Sequence, residues 1–364
     1  MINVGHLINI LKKNYCDFFS GVPDSILKEL SLYLKKNNKK HIIATNEGAA
    51  TSIGIGYYLA TKKLPCIYMQ NSGLSNAINP LISIAHQKVY SIPLILIIGW
   101  RGSPRSKDEP QHMVKGKITL ELLKLLKIKF TILREKNDLK KFNKQIKIAR
   151  EKNRIAACLI EEGTLKKQNK IKKRNNYILN KSFFLKSLLE IVNKNYKIIS
   201  STGYNSRELL KLRDKFNLTK GKDFYMVGGM GHASSVALGY SMNKKNKTIC
   251  LDGDGSLLMH FGSIKTAASN AKKNFKYILF NNNSHDSVGG QNTFSSEIDF
   301  KNLSKSIGFK RYFLISESKN LKKKINTFLK SKTLSFLEVK VANSKNDNLP
   351  RPKNLIEIKN LFMK

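Results

Sequence analysis

The chain has 364 residues, and its 66 Lys and Arg against 25 Asp and Glu give a formal net charge of +41. Apolar residues make up 41% of it, which is enough for ordinary cores and excludes a disordered chain. The basic residues are spread over most predicted surface helices, and no nucleic-acid-binding motif occurs among them. The charge therefore favours a small anionic substrate over a specific nucleic acid.

The cysteines and the apolar runs predict a cytoplasmic protein. The four cysteines are widely spaced without a CxxC pair, which argues against a disulfide framework or a zinc site and favours a reducing compartment. The N-terminus lacks the features of a signal peptide. The longest dense apolar run, 92–100, is too short to span a bilayer and is typical of a buried parallel strand.

Short apolar runs alternate with helical patterns along the whole chain. In the first half, strands are predicted at 15–19, 41–45, 66–69 and 93–98, and helices after the turn at 21–25 and at 47–60 and 75–86. In the second half, strands are predicted at 197–200, 248–251, 277–280 and 335–341, and helices at 183–192, 206–216, 232–242 and 262–270.

A basic, polar segment without apolar periodicity, KKQNKIKKRNN at 166–176, separates the two halves. We therefore predict a first domain at 1–165, a linker at 166–180 and a second domain at 181–364. Alternating strands and helices predict an α/β fold, in which each domain is a mostly parallel sheet with helices on both faces. Ligands of such sheets bind beyond the carboxyl ends of the strands.

Two polar segments follow neighbouring predicted strands of the second domain. GDGS at 253–256 follows one strand and NNNS at 281–284 follows another, with 25 residues between them, enough for a helix and a return strand. Asp254, the side-chain oxygen of Asn282 and the carbonyl of Ser284 are oxygen ligands of the kind that Mg²⁺ prefers, and a diphosphate would complete the set. The flanking residues expected to approach that diphosphate are Gly253, Gly255 and Ser256.

The GDG and NN pair resembles the signature of the thiamine-diphosphate (ThDP) enzyme family. Further segments are similar to the phosphonopyruvate decarboxylases within it: GVPDS (21–25), NEGAA (46–50), YMQNSG (68–73), IGWRG (98–102), DEPQH (108–112) and HDSVGGQ (285–291). The resemblance implies two ThDP-binding domains, a pyrimidine-binding one first and a diphosphate-binding one second, with no middle domain. It also implies ThDP and Mg²⁺ as cofactors and a homodimer at least, with a homotetramer as the larger alternative.

The resemblance assigns a role to Glu47, which follows a predicted strand and opens a helix of small residues. In the family a glutamate there hydrogen-bonds the aminopyrimidine nitrogen N1′, and burial would keep such a carboxyl protonated. An alternative is that Glu47 only complements the helix N-terminus. Gln70, Thr202, Gly203, Gly229 and Met230 match further cofactor positions, with Met230 as the bulky residue that supports the bent cofactor and core filling as its alternative.

The remaining candidates concern the substrate. Ser25, His112 and His285 are the other catalytic candidates, and the predicted substrate contacts are Asp24, Ser25, Arg101, Gln111 and His112. Of the nearby cations, which include Arg105 and Lys107, Arg101 is favoured for a phosphonate because a guanidinium presents a planar fork to such a group. Asp24 and Ser25 could instead cap a helix, and both histidines could be structural.

Together these features predict the non-oxidative decarboxylation of 3-phosphonopyruvate to phosphonoacetaldehyde and CO₂. The nearest alternative is a sulfopyruvate decarboxylase or another ThDP-dependent 2-oxo acid decarboxylase. A non-catalytic basic binding protein is a more remote one.

Overall fold

The structure is a computed structural model, and it describes residues 1–38, 40–168, 175–192, 195–216, 223–343 and 348–364. The chain divides into two compact units, Met1–Lys172 and Lys173–Lys364. Each unit contains one six-stranded sheet in which all neighbouring strands run parallel. The predicted α/β class is confirmed.

The first unit has its sheet in the order β2-β1-β3-β4-β6-β5. The strands are β1 Phe18–Gly21, β2 His41–Ile43, β3 Pro65–Gln70, β4 Leu94–Gly99, β5 Lys129–Leu133 and β6 Ile155–Ile160. The helices are α1 Val4–Lys13, α2 Lys28–Asn37, α3 Glu47–Thr61, α4 Leu74–Pro80, α5 Pro110–Leu125 and α6 Lys136–Glu151. One apolar core joins the sheet to α1, α2 and α6, and another joins it to α3, α4 and α5, so helices cover both faces.

The second unit has its sheet in the order β11-β12-β10-β9-β7-β8. The strands are β7 Tyr196–Ser200, β8 Asp223–Tyr225, β9 Lys247–Gly253, β10 Phe275–Asn281, β11 Arg311–Ile315 and β12 Ser335–Lys340. The helices are α7 Lys181–Ile191, α8 Tyr204–Lys215, α9 Ala233–Asn243, α10 Asp254–Met259, α11 Phe261–Asn270, α12 Phe300–Ile307, α13 Leu321–Lys330 and α14 Leu355–Met363. Two apolar cores again lie on opposite faces.

The two units share one topology. Read from the opposite edge, the second sheet repeats the first, because β7, β8 and β9 take the places of β1, β2 and β3. In both sheets the second strand lies on one side of the first, and the third strand lies on its other side. A crevice therefore opens between β1 and β3 in the first unit and between β7 and β9 in the second, and ligands of open α/β sheets bind at such points.

The structure corrects two predicted elements. The strand predicted at 15–19 begins at Phe18, because Tyr15 has a left-handed φ of 62° and Cys16 N donates back to Leu11 O, 3.0 Å away, at the end of α1. The helix predicted at 75–86 ends at Pro80 and continues as a wider π-helical turn over Leu81–Ala85.

The predicted linker at 166–180 is anchored where the structure describes it. Lys166 N donates to Ile2 O at 2.8 Å, and Gln168 N donates to the Glu29 carboxylate at 2.6 Å. Residues 169–174 lie outside the described part, and Asn175 is bonded within the second unit. In the part of the chain that the structure describes, no helix is both long and apolar enough to cross a membrane.

Candidate active site

Asp254 lies at the crevice of the second unit, where it follows β9 directly as the first residue of α10. The residue is 3% exposed, and its carboxylate accepts hydrogen bonds from Thr293 Oγ1 at 2.7 Å, Ser295 Oγ at 2.8 Å and Gly255 N at 2.9 Å. Burial raises the pKa of Asp254 to about 6, although these donors oppose the shift. The site thus holds a desolvated carboxylate whose donors are all neutral.

The loop after β10 presents Asn282 beside this carboxylate. Asn282 Oδ1 accepts from Ser284 N at 3.1 Å, and its Nδ2 donates to Asp286 at 2.8 Å. Its backbone oxygen accepts from Asn175 Nδ2 at 2.7 Å. The preceding residue, Asn281, instead bonds the buried Glu338. The loop is therefore fixed by its own hydrogen bonds, with Asn282 as the amide that faces the crevice.

A cavity of about 80 Å³, open to solvent, lies at this crevice. The predicted residues that line it are Thr202, Met230, Gly253, Asp254, Gly255, Ser256, Asn282, Ser284 and His285. Gly203 lies just outside the lining, with a φ of 87°, and directly precedes α8. Gly229, with a φ of 64°, precedes Met230. The residues predicted to hold a magnesium diphosphate thus meet around one cavity.

Glu47 is the first residue of α3 in the other unit, and its side chain is buried between that helix and the start of α4. Its Oε2 accepts from Asn76 Nδ2 at 2.8 Å. A Cβ on Gly73 would overlap the Glu47 carboxyl, so the carboxyl needs a glycine there. Burial raises the pKa of Glu47, and the negative charge of Asp24 adds to that effect. The site can therefore keep a carboxyl protonated above its ordinary pKa.

Asp24 and Gln70 meet at the crevice of the first unit, after β1 and at the end of β3. Gln70 Nε2 donates to Asp24 Oδ1, and the backbone N–H groups of Ile26 and Leu27 donate to Oδ2 at 3.0 and 3.1 Å. Asp24 is 1% exposed, and burial raises the pKa of its carboxyl against the effect of these bonds. Asp24 thus caps the chain that enters α2 and also contacts Gln70 at the crevice. The predicted helix cap and the predicted position near the substrate are therefore compatible.

Arg101 follows β4, and each of its three guanidinium nitrogens donates a hydrogen bond. Its Nε and Nη2 donate to Asp108 at 2.6 and 2.5 Å, and its Nη1 donates to Ser25 Oγ at 3.0 Å. His112 Nδ1 lies 2.9 Å from the same Asp108 carboxylate. The structure therefore brings Ser25, Arg101 and His112 together through Asp108.

Gln111 and the loop cations lie around this group. Gln111 Nε2 donates to Glu109 at 2.7 Å, whereas Arg105 and Lys107 are exposed. Ligand atoms of Asp108, Glu109 and His112 lie within 4.8 Å of one another, as in a metal centre. Arg101 already occupies both oxygens of Asp108, so the arrangement is an ion-paired cluster and does not suit a cation.

Comparison with known proteins identifies the family. Residues 3–122 match the family described as "Thiamine pyrophosphate enzyme, N-terminal TPP binding domain", and residues 203–339 match "Thiamine pyrophosphate enzyme, C-terminal TPP binding domain". A phosphonopyruvate decarboxylase of Streptomyces viridochromogenes is 30% identical to the chain over 92% of the chain and 87% of the relative. The chain belongs to the thiamine-diphosphate-dependent decarboxylases.

Two further members of this decarboxylase family are similar over most of their length. A phosphonopyruvate decarboxylase of Streptomyces hygroscopicus is 32% identical over 80% of the chain and 75% of the relative. A sulfopyruvate decarboxylase of Methanosarcina acetivorans is 27% identical over 94% of the chain and 93% of the relative. These matches confirm the predicted family, its carbon–carbon lyase class and its ThDP cofactor.

The residues around Asp254 in this decarboxylase fit a magnesium diphosphate. In the described part of the chain no cation pairs with the Asp254 carboxylate, so its buried charge is not balanced by the protein. Asn282 and Ser284 add an amide and a backbone oxygen, which are hard ligands suited to Mg²⁺. The Ser284 hydroxyl is buried beside the cavity and has no hydrogen-bond partner among the described residues. The residues present therefore suit a divalent cation together with the diphosphate that it would bind.

His285 lies against the glycine of the metal motif. A Cβ on Gly255 would come within 2.6 Å of His285 Cε1, so the ring packs where only glycine leaves room. Burial lowers the pKa of His285 to about 4, so its imidazole is neutral near pH 7. Its environment suits a neutral hydrogen-bonding group and disfavours a cation.

Several site residues of the decarboxylase lack a signal in the sequence. Lys181, at the start of α7, lines the cavity and lies 3.0 Å from Glu208 and 3.3 Å from Asn205 Oδ1. It is the one Lys or Arg among the described residues that line this cavity. Thr293 and Ser295, which hold Asp254, follow the HDSVGGQ segment directly. That proximity is the available clue for those two, whereas Lys181 is one of 66 basic residues and has none.

Proposed function

We propose that this enzyme decarboxylates 3-phosphonopyruvate to phosphonoacetaldehyde and CO₂ with ThDP and Mg²⁺. Two buried carboxyls support the reaction: Glu47 lies at one crevice, and Asp254, which pairs with no Lys or Arg among the described residues, lies at the equivalent crevice of the other unit. The names of the two relatives that are at least 30% identical over 80% or more of the chain support the substrate. We also propose the domain limits predicted from the sequence, a pyrimidine-binding domain at 1–165 and a diphosphate-binding domain at 181–364.

Each group of site residues would have its own task. Bound ThDP would supply an electron sink for the electron pair released with CO₂. Asp254, Asn282 and the Ser284 carbonyl would hold Mg²⁺, and Thr202, Gly203 and Ser256 would hold the diphosphate with backbone N–H and hydroxyl donors. Met230 would support the cofactor from the cavity wall. Glu47 would hold a proton on its carboxyl for the aminopyrimidine nitrogen, as its raised pKa favours.

The first crevice would receive the substrate. Ser25, Gln111 and His112 would contact the 2-oxo acid, and His112, whose pKa burial lowers, would be a neutral proton acceptor or donor near pH 7.

We infer a homodimer as the smallest active unit, because Glu47 and Asp254 would act at opposite ends of one cofactor across a subunit interface. A cytoplasmic location stays a prediction, and the four free, buried cysteines agree with it.

A substrate panel tests the proposal against its nearest alternative. CO₂ release is measured with phosphonopyruvate, sulfopyruvate and pyruvate at matched ThDP and Mg²⁺ concentrations. We expect kcat/KM to be highest for phosphonopyruvate and lowest for pyruvate. A higher value for sulfopyruvate would instead assign the activity of the Methanosarcina acetivorans relative, which matches 94% of the chain.

A further inference from the structure

The Asp108 carboxylate accepts five hydrogen bonds. Its Oδ1 accepts from Arg101 Nη2 at 2.5 Å, from Glu109 N at 2.8 Å and from His112 Nδ1 at 2.9 Å. Its Oδ2 accepts from Arg101 Nε at 2.6 Å and from Gly102 N at 3.1 Å. Although burial opposes it, the bonds from Arg101 and His112 lower the pKa of Asp108 to about 2. The carboxylate is therefore ionised at any working pH, and it can only accept.

The first consequence concerns the charge of Arg101. Asp108 pairs with one edge of the guanidinium through Nε and Nη2, and only 11% of the arginine side chain is exposed. The charge that made Arg101 the favoured partner of a phosphonate is thus balanced within the protein. The third guanidinium nitrogen, Nη1, donates to Ser25 Oγ at 3.0 Å. Arg101 therefore orients Ser25 and is not a freely available cation.

The second consequence concerns the proton on His112. Because Asp108 can only accept, the hydrogen bond requires the proton to be on Nδ1, which leaves the Nε2 lone pair of the neutral ring available. Burial and the charge of Arg101 lower the pKa of His112, while Asp108 and the more distant Asp24 raise it. The Glu109 carboxylate also faces this group from the same loop.

The third consequence concerns the backbone between Arg101 and His112. Asp108 ties Gly102 N to the start of α5, and so closes the loop at 102–107 at its base. A Cβ on Gly102, whose φ is 66°, would overlap the backbone of His112, and Trp100 Nε1 donates to Gly116 O at 3.1 Å. The helix that carries His112 is thereby packed directly onto the end of β4.

We propose that Asp108 is a positioning residue for the decarboxylation, which orients Ser25 through Arg101 and fixes the tautomer of His112. The inference rests on the proposed function for the roles of Ser25 and His112, but its geometric part does not. It implies that the second anionic group of the substrate is not bound by an unpaired Arg101. Asp108 would influence turnover more than substrate affinity.

The main test is the substitution Asp108→Asn, which keeps the shape of the side chain and removes its charge. We expect kcat to fall by about 10²-fold, as for the loss of an oriented acid–base group. KM for phosphonopyruvate should not rise, because the released charge of Arg101 attracts the anion. Asp108→Glu should recover part of kcat. A kcat within about threefold of wild type, or a rise in KM without a loss of kcat, would overturn the proposal.

A matched control separates positioning from helix capping. Asp138 also accepts two backbone N–H groups at a helix start, those of Arg134 and Glu135 at 3.0 and 3.1 Å. Asp138→Asn should leave kcat unchanged. Because Asp108→Asn leaves a buried arginine unpaired and could unfold the unit, the double variant Arg101→Met with Asp108→Asn removes both charges. Recovery of wild-type kcat in that variant would overturn the proposal.

A second readout needs no turnover. The pKa of His112 is measured by NMR on the ligand-free protein, with His112→Gln to assign the signal. In Asp108→Asn this pKa should fall further, since the carboxylate that raises it is lost while Arg101 remains. The acid limb of kcat/KM should move to lower pH accordingly. An unchanged His112 pKa would refute the positioning role, whereas a wild-type protein without turnover would refute only the proposed function.

Discussion

Glu47 occupies the space that a side chain at Gly73 would need. Gly73 has an ordinary φ of −87°, so alanine there would meet no backbone strain, and its effect would come from the displaced carboxyl. The relationship explains why a glycine precedes α4, and it offers a way to move the proposed catalytic acid without changing it.

Gly73→Ala should lower kcat by about 10²-fold, the usual cost of displacing a catalytic group by an ångström. Steady-state decarboxylation measures this effect. Gly56→Ala is the matched control, because Gly56 is an exposed residue of α3 and a methyl group added there would have no atom within 4 Å. That change should leave kcat unaltered and stabilise the fold by about 0.5–1 kcal/mol. Equal kcat values of the two variants would contradict the claim that catalysis depends on the position of the Glu47 carboxyl.

Glu47→Gln should lower kcat by about 10²–10⁴-fold, since the amide cannot supply the acidic proton. Its stability gives an independent check. Burial raises the pKa of Glu47 above 4.5, so the folded chain retains this proton when the unfolded chain has lost it. Wild-type stability therefore falls as pH rises from the ordinary pKa through the raised one.

Glutamine does not ionise, so the ligand-free variant should escape this loss. The difference in free energy of unfolding between Glu47→Gln and wild type should be smallest at acidic pH and grow in favour of the variant as pH rises through that window. Urea unfolding at a series of pH values measures it. A difference that does not change with pH would mean that Glu47 is not desolvated in solution.

Lys181→Met should weaken ThDP binding by about tenfold or more, which corresponds to the loss of one charge-assisted contact. Isothermal titration with ThDP and Mg²⁺ measures it. Thiamine monophosphate should lose less affinity if Lys181 contacts the terminal phosphate. Lys186→Met is the control, because Lys186 lies on the same helix, pairs with Glu190 and does not line the cavity. An equal effect of both substitutions would mean that the loss of affinity comes from the change in net charge and not from a contact between Lys181 and ThDP.

Asp254→Asn should abolish the rise in melting temperature that ThDP and Mg²⁺ together give the wild-type enzyme. Chelation of divalent ions should remove the same rise, and added Mg²⁺ should restore it. Ser295→Ala, which removes one donor from the carboxylate, should have a smaller effect. Undiminished cofactor stabilisation of Asp254→Asn would exclude this carboxylate as the metal ligand.

The sequence predicts best those residues whose positions depend on strand ends. Asp254 and Asn282 follow adjacent buried strands, so parallel pairing alone brings them together. Thr293 and Ser295 reach Asp254 through an irregular loop, and no periodicity encodes that path. The edge strands β5, β8 and β11 are not among the predicted elements, because partly exposed strands lack a continuous apolar run. The inner strand β6 is also missed, although it is buried and carries such a run.

The pairing of Arg101 shows a different limit. The sequence favours Arg101 as a phosphonate contact by residue type, and that contact stays a prediction. Whether an arginine in a loop faces a ligand or a carboxylate seven residues later depends on the turn between them. In this chain the turn at 102–107 folds back, and Asp108 becomes the partner.

The proposed decarboxylation is tested most directly by measuring the CO₂ and phosphonoacetaldehyde that the wild-type enzyme forms from 3-phosphonopyruvate, with and without ThDP and Mg²⁺, in parallel with Glu47→Gln. We predict one equivalent of each product with the complete cofactor set, and almost none with either cofactor omitted or with the variant. Absence of both products from the fully supplemented wild-type enzyme, or undiminished turnover by Glu47→Gln, would contradict the account.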